Sequence, residues 1–311
     1  MELTASDVWT VVAAALVLFM TPGLALFYSG MTRAKSALNM MMMSVISMGL
    51  VGVCWVLWGY SMSGGDALIH DIVGSPFNDF GLSATLADGG TNLLSVAFSS
   101  TFAIIAVAII SGSIADRARF GAWCIFVPLW LTLVYCPLAF MVWGGGLFGE
   151  EGFIGSMFGE AIDFAGGLVI HINAGVAGLI LALGFISGIA SGWAVGLKYR
   201  FGYDDSLDVV GVHLVSGLIG TLALGFIATP ATGTAGLFYG GGLGLLVTQT
   251  VATLISMAYC AVVTLLIVIP IHRTMGFRVS EKQEIQGIDL AQHAETAYAM
   301  SSGTSGAFAK N

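Results

Sequence analysis

Charge is what this sequence has least of. Asp, Glu, Lys and Arg make up 9% of its 311 residues, against about a quarter in soluble globular chains. Apolar residues reach 57%. A soluble domain with so few charges could not present a hydrated surface, so the composition excludes a globular reading and calls for an integral membrane protein. Cysteine is scarce too. Cys54, Cys124, Cys136 and Cys260 all lie in apolar runs at no metal or redox spacing, so neither a disulfide nor a thiolate metal site is expected. No lysine lies within an apolar run, which excludes a Schiff base of the retinal type. The start MELTASDVWTVV has neither a basic n-region nor a cleavage site, so the first span is expected to remain in the membrane.

What is there is a series of apolar runs of bilayer length: about 7 to 30, 38 to 63, 92 to 114, 121 to 146, 209 to 229 and 245 to 271. They are rich in Gly, Ala, Leu and Val without alternating polarity, so they read as helices rather than barrel strands. The fold class is therefore all-α, a polytopic helix bundle over residues 1–271. A polar tail over 272–311 ends in the disordered-looking SSGTSGAFAKN. Between spans, the loop 64–91 is full of turn residues and reads as an ordered cap.

Basic residues give the orientation, because short loops rich in Lys and Arg stay cytoplasmic. Arg33, Lys35, Arg117 and Arg119 fall on one side, together with Arg273, Arg278, Lys282 and Lys310. The opposite loops, 64–91 and 147–163, hold Asp66, Asp71, Asp79, Asp88, Glu150, Glu151 and Glu160 but no Lys or Arg. The N-terminus is expected outside and the tail in the cytoplasm. One further apolar stretch, 164–197, would form about 51 Å of helix against a hydrocarbon core of roughly 30 Å. A hairpin there would carry Lys198, Arg200 and the whole tail outside, against the charge rule. The expectation is one tilted crossing, seven spans in all, with Gly184, Gly188, Gly192 and Gly196 forming a close-packing row.

Two histidines stand inside such runs without a charge beside them: His171 in GGLVIHINAG and His213 in VVGVHLVSGLIG. An ionisable side chain in a span is costly and points to function. The bland alternative is a ring N–H satisfied by a carbonyl one turn away. Neutral imidazole accepts at one nitrogen and donates at the other, so two rings in contact could line a polar path. The spans offer no carboxylate or thiolate to complete a metal site, and no nucleophile or carboxylate set that would make an enzyme. No cofactor and no nucleic-acid partner are called for. What remains is passage of a small solute that can shed its charge.

The motifs MTPGLALFYSGMTRAKSALNM, IADRARFGAW, MVWGGG, DFAGGLVIHINAGVAGL, KYRFGYDDSLDVVGVHLVSGLIGT and GFRVSEKQEIQGIDLAQHAETAY resemble the ammonium transporter (Amt/Mep/Rh) family over nearly the whole chain and in family order. The resemblance implies transport of ammonium, ammonia or methylammonium across the plasma membrane, with a twin-histidine pore at His171 and His213. It implies an outer gate of stacked phenyl rings, matched by Phe98 and Phe102 at i, i+4, for which plain apolar packing is the alternative. Trp143 of MVWGGG would recruit ammonium through cation–π attraction; its alternative is an interfacial belt tryptophan. Asp163 would cap the first histidine-bearing helix while organising the outer site, and Asp208 would be structural at an inner helix end. Homotrimers and a P-II type regulatory protein on the cytoplasmic face are further implied partners.

The chain departs from that pattern in length. Family members typically have eleven spans and about a hundred more residues; here the sixth to eighth spans are missing, with a join near Leu183 and Gly184. The absent segment would carry the gate's second phenylalanine, a vestibule serine and part of the pore wall. Two readings follow: a transporter, or a non-conducting derivative acting as a binding or regulatory subunit.

Overall fold

The computed structural model describes residues 4–90, 92–182, 205–230, 233–295 and 297. Among these, five helices are long and apolar enough to cross a bilayer. Four are α1 (Ala5–Met31), α2 (Ala37–Gly64), α3 (Leu93–Ile114) and α4 (Phe120–Trp143). Two shorter segments carry the histidines. In α5, a π-helical turn Gly167–Ile172 runs into an α-helix Asn173–Ala182; in α6, a π-helical turn Val210–Leu214 runs into Val215–Ile227. The fifth long helix, α7 (Gly244–Met275), leads into α8 (Glu281–Gln286) and α9 (Ile288–His293). The polytopic all-α architecture is thus present. The continuation of 164–197 beyond Ala182, the join, the glycine row and Lys198 lie outside the described residues, and so does the segment SSGTSGAFAKN.

Local chemistry fixes where the helices begin and end. Thr4 accepts from the Asp7 N–H at 3.2 Å while Asp7 accepts from the Thr4 N–H at 2.8 Å, a reciprocal cap that opens α1. At the far end of the bundle α7 stops at Gly276, whose φ of 71° suits a residue without Cβ. The acidic loop is ordered as expected. A small hairpin pairs Ala67–Ile69 with Val73–Gly74, and the Asp79 carboxylate accepts from the N–H groups of Ala84 (2.7 Å) and Thr85 (3.1 Å) at the start of a short helix.

The core is an aromatic column on α4. Trp123 stacks on Phe126 at 5.4 Å, Phe126 on Trp130 at 6.5 Å, and Tyr135 meets Trp55 of α2 at 6.1 Å. The Trp123 indole N–H donates to the Met43 carbonyl (3.0 Å) and the Ser47 hydroxyl (3.1 Å), so the column is tied to α2 by polar contacts as well as by packing. On the basic face the tail is docked. Val279 donates to the Arg117 carbonyl (2.6 Å) and Arg119 to that of Phe277 (3.0 Å). The Asp289 carboxylate caps α2 by accepting from Leu38 (3.0 Å) and Asn39 (2.8 Å).

Candidate functional site

The two histidines occupy equivalent places. Each sits in the last turn of a π-helical segment, and such wide turns recur where function requires an irregular backbone. In α5 the turn starts at Gly166, whose φ of 73° and close contact with Ile170 leave no room for a Cβ. The His171 N–H then bonds the Gly166 carbonyl at 2.8 Å, the i→i+5 geometry of a π turn.

Glycines also bring the two turns together. A Cβ on Gly175 would stand 2.5 Å from the backbone nitrogen of Leu214, and one on Gly217 would meet the Ile172 side chain at 3.0 Å and the His171 Cβ at 3.2 Å. The helices therefore cross nearly backbone to backbone at the level of the imidazoles. Their Nδ1 atoms lie 3.4 Å apart, with parallel rings (5° between planes) and centroids separated by 5.6 Å. A hydrogen bond between them requires that one Nδ1 carry the proton and the other accept it. Among the described residues neither ring bonds a carbonyl one turn away, the arrangement a purely structural histidine would adopt.

The pair lines a cavity of about 440 Å³ together with Asp163, Phe164, Gly217, Thr221 and Leu224. The Asp163 carboxylate accepts from the N–H groups of Leu168 (3.2 Å) and Val169 (3.1 Å) and so caps the π turn. Its carbonyl accepts the indole N–H of Trp143 at 2.9 Å. Trp143 meets Phe102 at 6.1 Å, and Phe102 meets Phe98 at 4.7 Å with an interplanar angle of 74°. The phenyl rings are edge-on rather than stacked, and the three aromatics form one row. Trp143 also walls a larger cavity of about 560 Å³ under the acidic loop, with Ser99, Asp79 and Asp88. The indole thus stands between an acidic recess and the aspartate that leads to the histidines.

On the α6 side the cap comes from a residue that sequence inspection passed over. The buried Asp205 carboxylate accepts from Val209 (3.1 Å) and Val210 (3.0 Å). Asp208 occupies the turn instead, with φ 56° and its carbonyl accepting from Val212 at 2.8 Å. The signal was available: Asp205 stands eight residues before His213, as Asp163 stands eight before His171. Among the described residues no group of three His, Cys, Asp or Glu side chains could hold a metal ion.

Fold and site together define a multi-pass helical membrane protein with a polar pair set inside its bundle. The sequence profile of the Ammonium Transporter Family matches residues 8–184 and 181–298. The chain is similar to the ammonium transporter of Mycobacterium tuberculosis (strain ATCC 25618 / H37Rv), at 36% identity over 427 residues covering 93% of this chain and 89% of the relative. It is also similar to that of Aquifex aeolicus, at 33% over 406 residues covering 95% and 93%. The chain belongs to the ammonium transporter family. Among solved structures, Candida albicans Mep2 superposes with a TM-score of 0.77 at 23% identity, covering 94% of this chain and 90% of that one. A "Sensor Amt Protein" superposes with 0.78 at 15%, covering 92% and 98%. At those identities the likeness speaks for the fold. Alignments running over 427 and 406 residues against a chain of 311 leave long gaps within this chain, and the two profile matches meet at 181–184.

Proposed function

We propose that this chain moves ammonium-derived nitrogen across the plasma membrane, with His171 and His213 as the polar step in an otherwise apolar path. The observation that carries this reading is the 3.4 Å imidazole contact in the lining of the 440 Å³ cavity. A neutral pair there can stabilise a small polar solute by donating or accepting, while the Asp163 carboxylate that also lines the cavity is engaged by the N–H groups of Leu168 and Val169. Trp143, edged by Phe102 and tied to Asp163, is the cation–π site at which ammonium is gathered before it loses its proton. In this reading, which rests on the charge rule, the N-terminus and the acidic loop lie outside and the tail in the cytoplasm, with the stretch 164–197 crossing once and seven spans in all. The segments of the complete family meet near Leu183 and Gly184. Homotrimeric assembly and a P-II type protein at the basic face complete the reading.

Uptake of labelled methylammonium by the reconstituted protein tests it. Flux above empty vesicles, lost in His171→Ala and His213→Ala at unchanged folded yield, is the expected result. Absence of flux from verified folded protein would overturn it in favour of a binding or regulatory subunit. Trp143→Leu should weaken selection of ammonium over potassium while leaving apolar bulk in place.

A further inference from the structure

The longest described helix carries a polar stripe on its buried face that transport by the histidine pair does not use. On α7, Gln249, Thr253, Ser256, Cys260 and Thr264 follow one another at i+4, i+3, i+4 and i+4, so they line one side, and all are buried. Their neighbours are fixed at both ends of the stripe. The Gln249 amide brackets Ile162, accepting from its N–H (3.0 Å) and donating to its carbonyl (2.9 Å), and reaches the Thr221 carbonyl at 3.2 Å. The Cys260 thiol donates to the Asn173 carbonyl at 3.2 Å. Between Ile162 and Asn173 the chain runs through the π turn that bears His171. Thr253 and Ser256, between Gln249 and Cys260, therefore face the back of that turn.

These two hydroxyls, like those of Thr21 on α1 and Ser44 on α2, depart from the usual pairing within a span. Ser47, Thr250 and Thr274 each donate to the carbonyl four residues back, at 2.7, 2.7 and 2.9 Å. Thr253 and Ser256 have no hydrogen-bond partner among the described residues, and the same holds for Asn173 Oδ1, although the Asn173 amide nitrogen donates to the Val169 carbonyl at 3.2 Å. Buried polar groups are rarely left without a partner. Two donor–acceptor hydroxyls and one acceptor, all buried at one interface and not bonded to each other, match the needs of a small neutral molecule that both donates and accepts.

We propose that Thr253, Ser256 and Asn173 hold an internal water site between α7 and the π turn of α5, separate from the cavity at the imidazoles. A buried water makes two to four such bonds and becomes part of the structure. Here it braces from behind the turn that sets the position of His171, whether or not the chain conducts.

Two measurements on the full chain test this. A density map fine enough to show ordered water should contain a peak within hydrogen-bonding distance of Asn173 and of at least one of the two hydroxyls. Hydroxyls turned onto their own helix carbonyls, with no such peak, would overturn the site. Radiolytic labelling in ¹⁸O-water should mark the buried Cys260, beside the site, severalfold more than the equally buried Cys136. The near-isosteric pair Thr253→Val and Ser256→Ala should abolish that excess while the protein still elutes as a single folded species. Cys260 labelled no more than Cys136 in the unaltered chain, or an excess that survives the double substitution, would sink the proposal.

Discussion

α1 and α4 are nearly equal in hydropathy, yet 11% of the most apolar stretch of α1 is buried against 72% for α4. In water such a difference would be written in the composition, because the apolar face turns inward. In a bilayer both environments are apolar, and the contrast lies in which side chains are tied down. The aromatics of α4 stack in sequence, and Trp123 is anchored by two hydrogen bonds. On α1 the large residues Trp9, Phe19 and Phe27 face outward, and the buried ones are Thr21, Ala25, Tyr28 and Ser29. That narrow stripe of mostly small side chains lets α1 lie close against α2 and α3. Hydrophobicity puts a helix in the membrane; small residues and pinned aromatics decide where in the bundle it goes.

The strongest way to break this comparison is to truncate one aromatic on each helix. Trp123→Ala removes a fully buried ring with both its hydrogen bonds and should cost about 3–5 kcal/mol, read as loss of thermal stability in detergent. Phe19→Ala, at a side chain 73% exposed, should stay within about 0.5 kcal/mol. A comparable loss at both would place the outer face of α1 in a protein interface instead of against lipid.

Much of this architecture can be read from the amino acids. The run 245 to 271 became Gly244–Met275 and the run 121 to 146 became Phe120–Trp143, because length and apolarity are all a spanning helix requires. The positions of His171 and His213 in separate helices were equally visible. Their meeting was not, since it depends on Gly175 and Gly217 allowing a backbone crossing, and nothing in the sequence distinguishes those two from the other 41 of the chain's 43 glycines. The π turns were hidden as well: a change from i→i+4 to i→i+5 bonding over a single turn leaves the apolar run unbroken. Asp205 is less legible than Asp208 because it lies eight residues from His213, and only the equal spacing of Asp163 from His171 points to it.

The two buried caps supply the next test. If pinned polar groups place these helices, the caps of the two histidine arms should matter similarly. Asp163→Ala and Asp205→Ala should each cost about 1–2 kcal/mol, and hydrogen exchange should rise at Leu168 and Val169 in the first variant and at Val209 and Val210 in the second. Exchange unchanged at Val209 and Val210 in Asp205→Ala would show that packing alone holds the α6 turn.

The smallest effect lies outside the bilayer, where the docked tail is held by polar contacts in place of the stacked rings of α4. His293 joins the tail to α2 through Nε2 and the Asn39 side-chain oxygen at 2.8 Å, and its ring stands edge-on to Phe120 at 4.9 Å. Burial lowers its pKa from the ordinary 6.5, while the nearby Asp289 carboxylate pulls it up to a lesser degree. Lys35, bonded to the Ile285 carbonyl, and the Arg278–Glu284 pair at 2.7 Å complete the charged surroundings. With the docked value below the free one, the docked tail binds fewer protons than a released tail. Docking is then at full strength above about pH 6.5 and weakens as pH falls through that value toward the lower, docked one. Hydrogen exchange over 281–293, corrected for the intrinsic effect of pH, should show protection falling modestly between about pH 7.5 and 5.5. His293→Gln keeps an amide donor for Asn39 and should flatten the dependence. Protection that rises on acidification would mean that the attraction of Asp289 outweighs the burial of the ring, and the tail would be clamped by the same protonation that is expected here to loosen it.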